Sequence, residues 1–244
     1  MDRLIYLSMA GAKATMQRQE VLAHNLANAS TTGFRAELAA FRAVPVRGDG
    51  ASTRVYALES TVGYDAQPGV VQSTGRPLDV AMQGDAWLAV QALDGTEGYT
   101  RAGALELDPE GQLVTAAGLP VLGDGGPIAV PPGARVAIAP DGTVSAAVGN
   151  GRPQAVGKIK LVTPEAPLAR GTDGLFRAAD GNELAADPNA RVQDGALEGS
   201  NVSAVETMIA MIAAARQFEQ QVKLMQTAQE DERAATKLLS PNGF

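Results

Sequence analysis

Any chemistry in this chain starts from a short supply of reactive groups. There is one histidine, His24, and no cysteine among 244 residues. His24 opens the stretch HNLANASTTGFR, which runs to Arg35. A Ser-His-Asp relay around it would need an exposed nucleophile, and no Gly-x-Ser-x-Gly elbow is present. A zinc site would need further His or Cys ligands, which the chain lacks. Asp-Gly pairs recur at Asp94, Asp124, Asp141, Asp173 and Asp180, and invite a calcium reading. They lack the Asp-x-Asp-x-Asp-Gly spacing and trailing glutamate of a calcium loop and read as hairpin turns. Neither Gly-x-Gly-x-x-Gly after a strand nor Gly-Lys-Ser/Thr occurs, so no phosphate cradle is expected. Two acids could meet in a cleft as in a glycosidase, but no spacing points to a pair. The expectation is no catalytic, cofactor-binding or metal residue, with His24 on a helix face.

Net charge narrows the partners. The formal charge is -7, and no basic run offsets it, so a nucleic-acid partner is not expected. No apolar stretch is long enough to span a bilayer, and direct membrane insertion is not expected. The opening residues carry Asp2 and no sustained apolar core, unlike a secretory signal. Residues 1–40 sum to +1 and 201–244 to -1, which leaves -7 on the middle. Nearly neutral ends can pack together while an acidic middle stays solvated.

The elements that would position these groups follow from the helix breakers. Residues 201–239 contain no proline or glycine, and residues 1–34 contain no proline and one mid-segment glycine, Gly11. Thirteen of 14 prolines lie between residues 45 and 200. This predicts an α+β chain: long N- and C-terminal helices pairing as a coiled coil, with a central all-β domain. The expected divisions are 1–34 (helix and turn), 35–75 (extended connection), 76–200 (β domain) and 201–244 (helix). In the middle, LELDPEGQLV sets Leu105 and Leu107 against Leu113 across a turn, a hairpin pattern. Ser203 with Glu206 fits a capping box that starts the last helix. A heptad frame then places Met208, Ala215 and Val222 at one seam position and Met211, Phe218 and Met225 at the other, with Ile209 and Ile212 widening the face. The N-terminal stripe is weaker: Leu4, Leu7, Gly11, Ala14, Leu22 and Leu26, interrupted by Arg18. Such helices need a buried stripe to persist in water. Their length favours assembly over packing within one chain.

These elements carry a resemblance. HNLANASTTGFR resembles the N-terminal signature of the bacterial flagellar basal-body rod and hook proteins: an Asn-Leu-Ala-Asn core, then Thr-x-Gly-Phe and a base. GSNVSAVETMIAMIAAARQFEQQVK is similar to the C-terminal helix of that family, with Phe218 where many relatives carry tyrosine and Gln221 where many carry asparagine. GYTRAGALELDPEGQLVTAAGLPVLGDGGPI is similar to its central β section. The resemblance implies a structural subunit of the proximal rod that catalyses nothing and transmits torque from motor to hook. The implied partners are other rod proteins, proximal and distal, further copies in a helical assembly, and the flagellar export apparatus. The implied location is the rod in the periplasmic space, reached without a cleaved signal peptide. Beside the helix positions above, the implied assembly interface takes in Asn25, Asn28, Thr32, Gly33, Phe34 and Asn201. Two other readings stay open: another rod or hook subunit, or a β-rich module that binds or hydrolyses cell wall.

Overall fold

The computed structural model describes residues 2–45, 55–149 and 151–239. The chain divides into two compact units. One comprises the described parts of 1–29, 37–64 and 202–244; the other comprises 30–36 and 65–201. The chain thus changes unit four times, at 29/30, 36/37, 64/65 and 201/202.

The first unit holds helix α1 (Asp2–Ala27), strands β1 (Glu37–Pro45) and β2 (Val55–Tyr64), and helix α2 (Ala204–Leu239). Ser203 starts α2: its hydroxyl accepts from Glu206 N at 3.4 Å, and its carbonyl accepts from Thr207 N at 2.9 Å. At ~1.5 Å per residue α2 is roughly 54 Å long and α1 roughly 39 Å. The two helices pack along each other, and α1 also packs on the β1–β2 hairpin. That hairpin is antiparallel with a bulge between Ala40 and Phe41. Much of the expected extended connection over 35–75 is therefore paired structure. A further piece of it, Val71–Ser73, pairs with Ala196–Glu198 in the second unit.

The inward face of α2 differs from the sequence expectation by one residue. Thr207, Ala214 and Ala228 are buried, and Met211, Phe218, Gln221 and Met225 are half-buried. These steps of four and three are a heptad's. Met211, Phe218 and Met225 take their expected inward place. Met208 is 50% exposed and Ile212 is 55% exposed, while Ala215 and Val222 sit half-buried at the flank. At the first of these positions the smaller Thr207 points inward in place of Met208. Small residues also point inward on α1, where Ser8, Ala12 and Thr15 are buried. A Cβ on Gly11 would lie 3.1 Å from the Gln221 side chain, so the helices approach closely there. Small inward residues permit that approach, while Met208, Ile209 and Ile212 face outward.

The second unit is all β among its described residues. Its largest sheet has five antiparallel strands in the order Leu161–Val162, Trp87–Gln91, Glu97–Thr100, Phe176–Arg177, Ala169–Arg170. A three-stranded meander follows the order Ala134–Ile138, Thr143–Val148, Gln154–Lys158. Val80, Leu88, Val90, Leu105, Leu113, Val121 and Val144 are fully buried and form its core with Ile159 and Val192. The LELDPEGQLV hairpin forms as expected, with Leu107 opposite Leu113. The Asp108 carboxylate there accepts from Gln112 N at 2.6 Å, and Gly111 takes a φ of 83° that a side chain would disfavour.

Ala214 is 1% exposed, and this yields a direct test of the seam. Ala214→Glu should cost about 2–4 kcal/mol by burying an unpaired carboxylate. The neighbouring large residue behaves oppositely: Met208→Glu should cost less than about 0.5 kcal/mol at its exposed position. Hydrogen exchange along α2 measures both; equal loss of protection in the two variants would overturn the assignment.

Candidate functional site

The stretch from His24 to Arg35 ends α1 and starts the passage into the second unit, and its polar residues do different jobs. Asn25 is buried, and its carboxamide reads a single peptide group pair on β1. Nδ2 donates to Glu37 O at 2.9 Å, while Oδ1 accepts from Glu37 N at 2.8 Å. The side chain thereby mimics one rung of a β-ladder and fastens the last turn of α1 to the first residue of β1. His24 Nδ1 lies 2.8 Å from Glu37 Oε2, an exposed pairing at the same joint. Asn28 caps the helix by donating from Nδ2 to His24 O at 2.9 Å.

Gly33, Phe34 and Arg35 belong to the β unit. Gly33 has a φ of 68°, and a Cβ there would lie 2.2 Å from the Arg101 carbonyl carbon. Only glycine fits, on conformation and on space. Gly33 N donates to Glu198 O at 2.8 Å. Phe34 is buried with the Arg170 guanidinium 4.4 Å from its ring centroid, a cation–π arrangement. Arg35 is buried and forms an ion pair through Nη1 with Glu198 Oε1. Its carbonyl accepts from Arg170 Nη1 at 3.2 Å.

Glu198 is the centre of this arrangement. Its carboxylate is 1% exposed and collects donors from three distant segments. Arg35 and Gly69 N (2.9 Å) meet Oε1, while Arg101 meets Oε2 through Nε at 2.8 Å and Nη2 at 2.6 Å. Arg101 is itself 2% exposed, and donates onward to the carbonyls of Gly84 at 2.8 Å, Met82 at 3.2 Å and Ala86. Burial pushes the Arg101 guanidinium below its ordinary pKa, and the Glu198 charge pulls it back up. Asn201, three residues on, repeats the pattern with neutral groups. Its Oδ1 accepts from Ala36 N at 2.7 Å, and its Nδ2 donates to Asp65 O at 3.1 Å and Gln67 O at 2.9 Å. Residues 33–36, 65–69 and 198–201 are thus bound together where the chain enters, re-enters and leaves the β unit.

The structure brings Gly33, Phe34 and Asn201 into this clasp, and places Asn25 and Asn28 at the end of α1. Thr32 is half-buried. On the helices, Leu7, Gly11, Ala14, Leu22 and Leu26 are half-buried, and the Leu4 side chain lies outside the described residues. Glu198 and Arg101 carry no signal in the sequence beyond being charges in an apolar neighbourhood. Arg35 sits in the quoted motif without a partner to mark it. Among the described residues no cluster of three or more His, Cys, Asp or Glu could hold a metal, and no helix is long and apolar enough to cross a membrane.

Three family models match the chain. "Flagella basal body rod protein" matches residues 5–35, "Flagellar hook protein FlgE/F/G D1 domain" matches 81–146, and "Flagellar basal body rod FlgEFG protein C-terminal" matches 193–238. The chain is 51% identical over 250 residues to the flagellar basal-body rod protein FlgF of Salmonella typhimurium, covering 98% of this chain and 99% of that one. It is likewise 51% identical to the FlgF of Escherichia coli K12, with the same coverage. A more distant relative is the rod protein FlgG of Bacillus subtilis, 31% identical over 94% of this chain and 96% of that one. The chain belongs to the flagellar basal-body rod family and is FlgF-like. The matched regions of this rod-family chain each hold one of the clasp's three charged groups: Arg35 in the first, Arg101 in the second, Glu198 in the third.

Removing the shared anion should therefore be worse than removing one cation. Glu198→Ala leaves two buried guanidiniums facing each other and should cost about 3–5 kcal/mol. Arg35→Met leaves the Arg101–Glu198 pair intact and should cost less. Urea unfolding followed through the fluorescence of Trp87, which lies 5.9 Å from the Arg101 guanidinium carbon, measures both. A Glu198→Ala variant as stable as the parent would remove the clasp's structural role.

Proposed function

We propose that this rod-family chain is a structural subunit of the proximal flagellar rod, polymerising through its two terminal helices. The observation that carries the reading is a second apolar stripe on α2 that the chain leaves exposed. Val205 is 68% exposed, Met208 50%, Ile209 62% and Ile212 55%. Their spacing of three, four and seven puts them on one side of the helix. α1 likewise exposes Tyr6, Met9 and Met16, each at 52–53%. A helix that turns Met211, Phe218 and Met225 inward yet leaves a second apolar stripe in solvent suits a subunit completed by its neighbours.

In this reading α1 and α2 form a coiled-coil pair, and the outward stripes pack against pairs from adjacent subunits to build the inner tube of the rod. The β unit forms the outer layer. Methionines on the exposed faces adapt to non-identical neighbours, as a subunit between different rod proteins requires. Many weak lateral and axial contacts add up to the torsional stiffness that carries torque. The subunit reaches the periplasmic rod through the flagellar export apparatus. FlgF and FlgG relatives are named as basal-body rod proteins, and a structural role without catalysis is the reading they support.

The test separates the outward stripe from the inward seam. The double variant Ile209→Glu, Ile212→Glu should leave the helical circular dichroism and unfolding of the free subunit unchanged, because both positions are exposed. It should abolish rod incorporation and motility. Normal motility in a strain carrying only this variant would overturn the interface.

A further inference from the structure

The five-stranded sheet is buried on both faces. Leu88 and Val90 belong to the core of the β unit, so by alternation Trp87 and Ala89 point to the other side. Trp87 is nonetheless 4% exposed, and Tyr99 and Phe176, which pair across neighbouring strands, are 1% and 3% exposed. Groups outside the core must therefore close this second face.

A column of rings and guanidiniums lies on it. Trp87 and Phe176 pack with their ring centroids 4.7 Å apart. Arg170 pairs with Phe176 across the two strands, and its guanidinium lies 5.4 Å from the Phe176 centroid and 4.4 Å from that of Phe34. At the far end, Trp87 lies 5.9 Å from the Arg101 guanidinium carbon. Arg101 is bonded through Glu198 to Arg35, the residue that follows Phe34. The contacts thus close into a circuit, one half aromatic and the other ionic. Both halves end on the segment by which the chain enters the β unit. Arg170 meets that segment twice, at the Phe34 ring and at Arg35 O.

We infer that residues 33–36 form a strap over the second face of the sheet, that Arg170 fastens it, and that the strap opens with the sheet and not with α1. The ionic half of the circuit holds Arg35, and the aromatic half holds Phe34. A guanidinium suits the fastening position because its flat faces can meet two rings while an edge N–H donates to a carbonyl. An ammonium is a compact, strongly hydrated point charge and cannot do both. The strap does not depend on the rod-subunit reading.

Native-state hydrogen exchange of the full chain in rising, sub-denaturing urea tests it. The amides to follow are Gly33, bonded to Glu198 O, and Ala36, bonded to Asn201 Oδ1, on the strap. Ala89, bonded to Lys160 O, reports on the sheet, and Thr15 reports on α1. Gly33 and Ala36 should share the urea dependence of Ala89. Strap amides that open with Thr15, or before it, would overturn the strap, and this comparison within the parent chain needs no variant. Arg170→Met keeps an apolar stem but removes the cation and the donor. It should speed exchange at Gly33 and Ala36 about tenfold, the size of one desolvated cation–π contact, and leave Ala89 within about twofold. Arg170→Lys restores the charge without the plane and should recover less than about a third of that loss. Unchanged exchange at Gly33 in Arg170→Met, an equal loss at Ala89, or full recovery in Arg170→Lys would overturn the fastening role of Arg170.

Discussion

One carboxylate, that of Glu198, determines where three separate lengths of this chain lie. It is buried, so its charge must be matched, and two guanidiniums match it. The partners come from 163 and 97 residues away in the chain. Each of those separations is a loop closed at an entropic cost that grows only slowly with length. The return is that the entry turn, the re-entry at Gly69 and the exit toward α2 share one anchor. Asn201 adds a neutral tie between the same segments, and Gly33 is small enough to let the Arg101 backbone pass against it. Removing any one of these alters a point that the other segments also use. A buried ion network of this kind specifies arrangement as much as it adds stability, since an apolar substitute would fix no partner.

The division of labour on the helices follows from a different constraint. Two helices approach closely only where their facing residues are small, and Ser8, Ala12, Thr15, Thr207, Ala214 and Ala228 are the buried ones. Alanine and serine bury little apolar area, so the inward seam contributes less than a leucine seam would. What it gains is proximity: the Gln221 side chain stands where a Cβ on Gly11 would press against it. Large apolar chains excluded from that seam have to face elsewhere, and on the first turns of α2 they face solvent.

Much of this was legible in the sequence where the signal is local. The helices follow from the absence of glycine and proline, and the hairpins follow from Asp-Gly turns between alternating apolar residues. The inward register of α2 was read one residue off on one of its two seam positions. Hydrophobicity ranks Met208 above Thr207, whereas close helix approach favours the smaller residue there. The β1–β2 hairpin was missed although Asp49-Gly50 lies between Glu37–Pro45 and Val55–Tyr64, because nine residues separate the strands rather than a tight two-residue turn. The Glu198 clasp left no trace at all: long-range charge pairing has no period, and a lone glutamate before Gly-Ser-Asn looks like any solvated acid.

The size of the outward stripe bears on how such a subunit assembles. Fully burying a Val, Ile or Met side chain is worth about 1.5–3 kcal/mol. Val205, Met208, Ile209 and Ile212 are one-half to two-thirds exposed, so one stripe holds on the order of 4–6 kcal/mol in reserve. Association costs roughly 4–15 kcal/mol in lost rigid-body freedom. A single stripe against a single neighbour therefore does not hold two free subunits together firmly. A subunit arriving at a growing end can meet several neighbours at once, and it loses its rigid-body freedom only once. The stripes on α1 and α2 then add while the cost does not repeat. In the reading proposed above, an outward stripe of this size would leave the chain dispersed when alone and hold it strongly only against several neighbours at once.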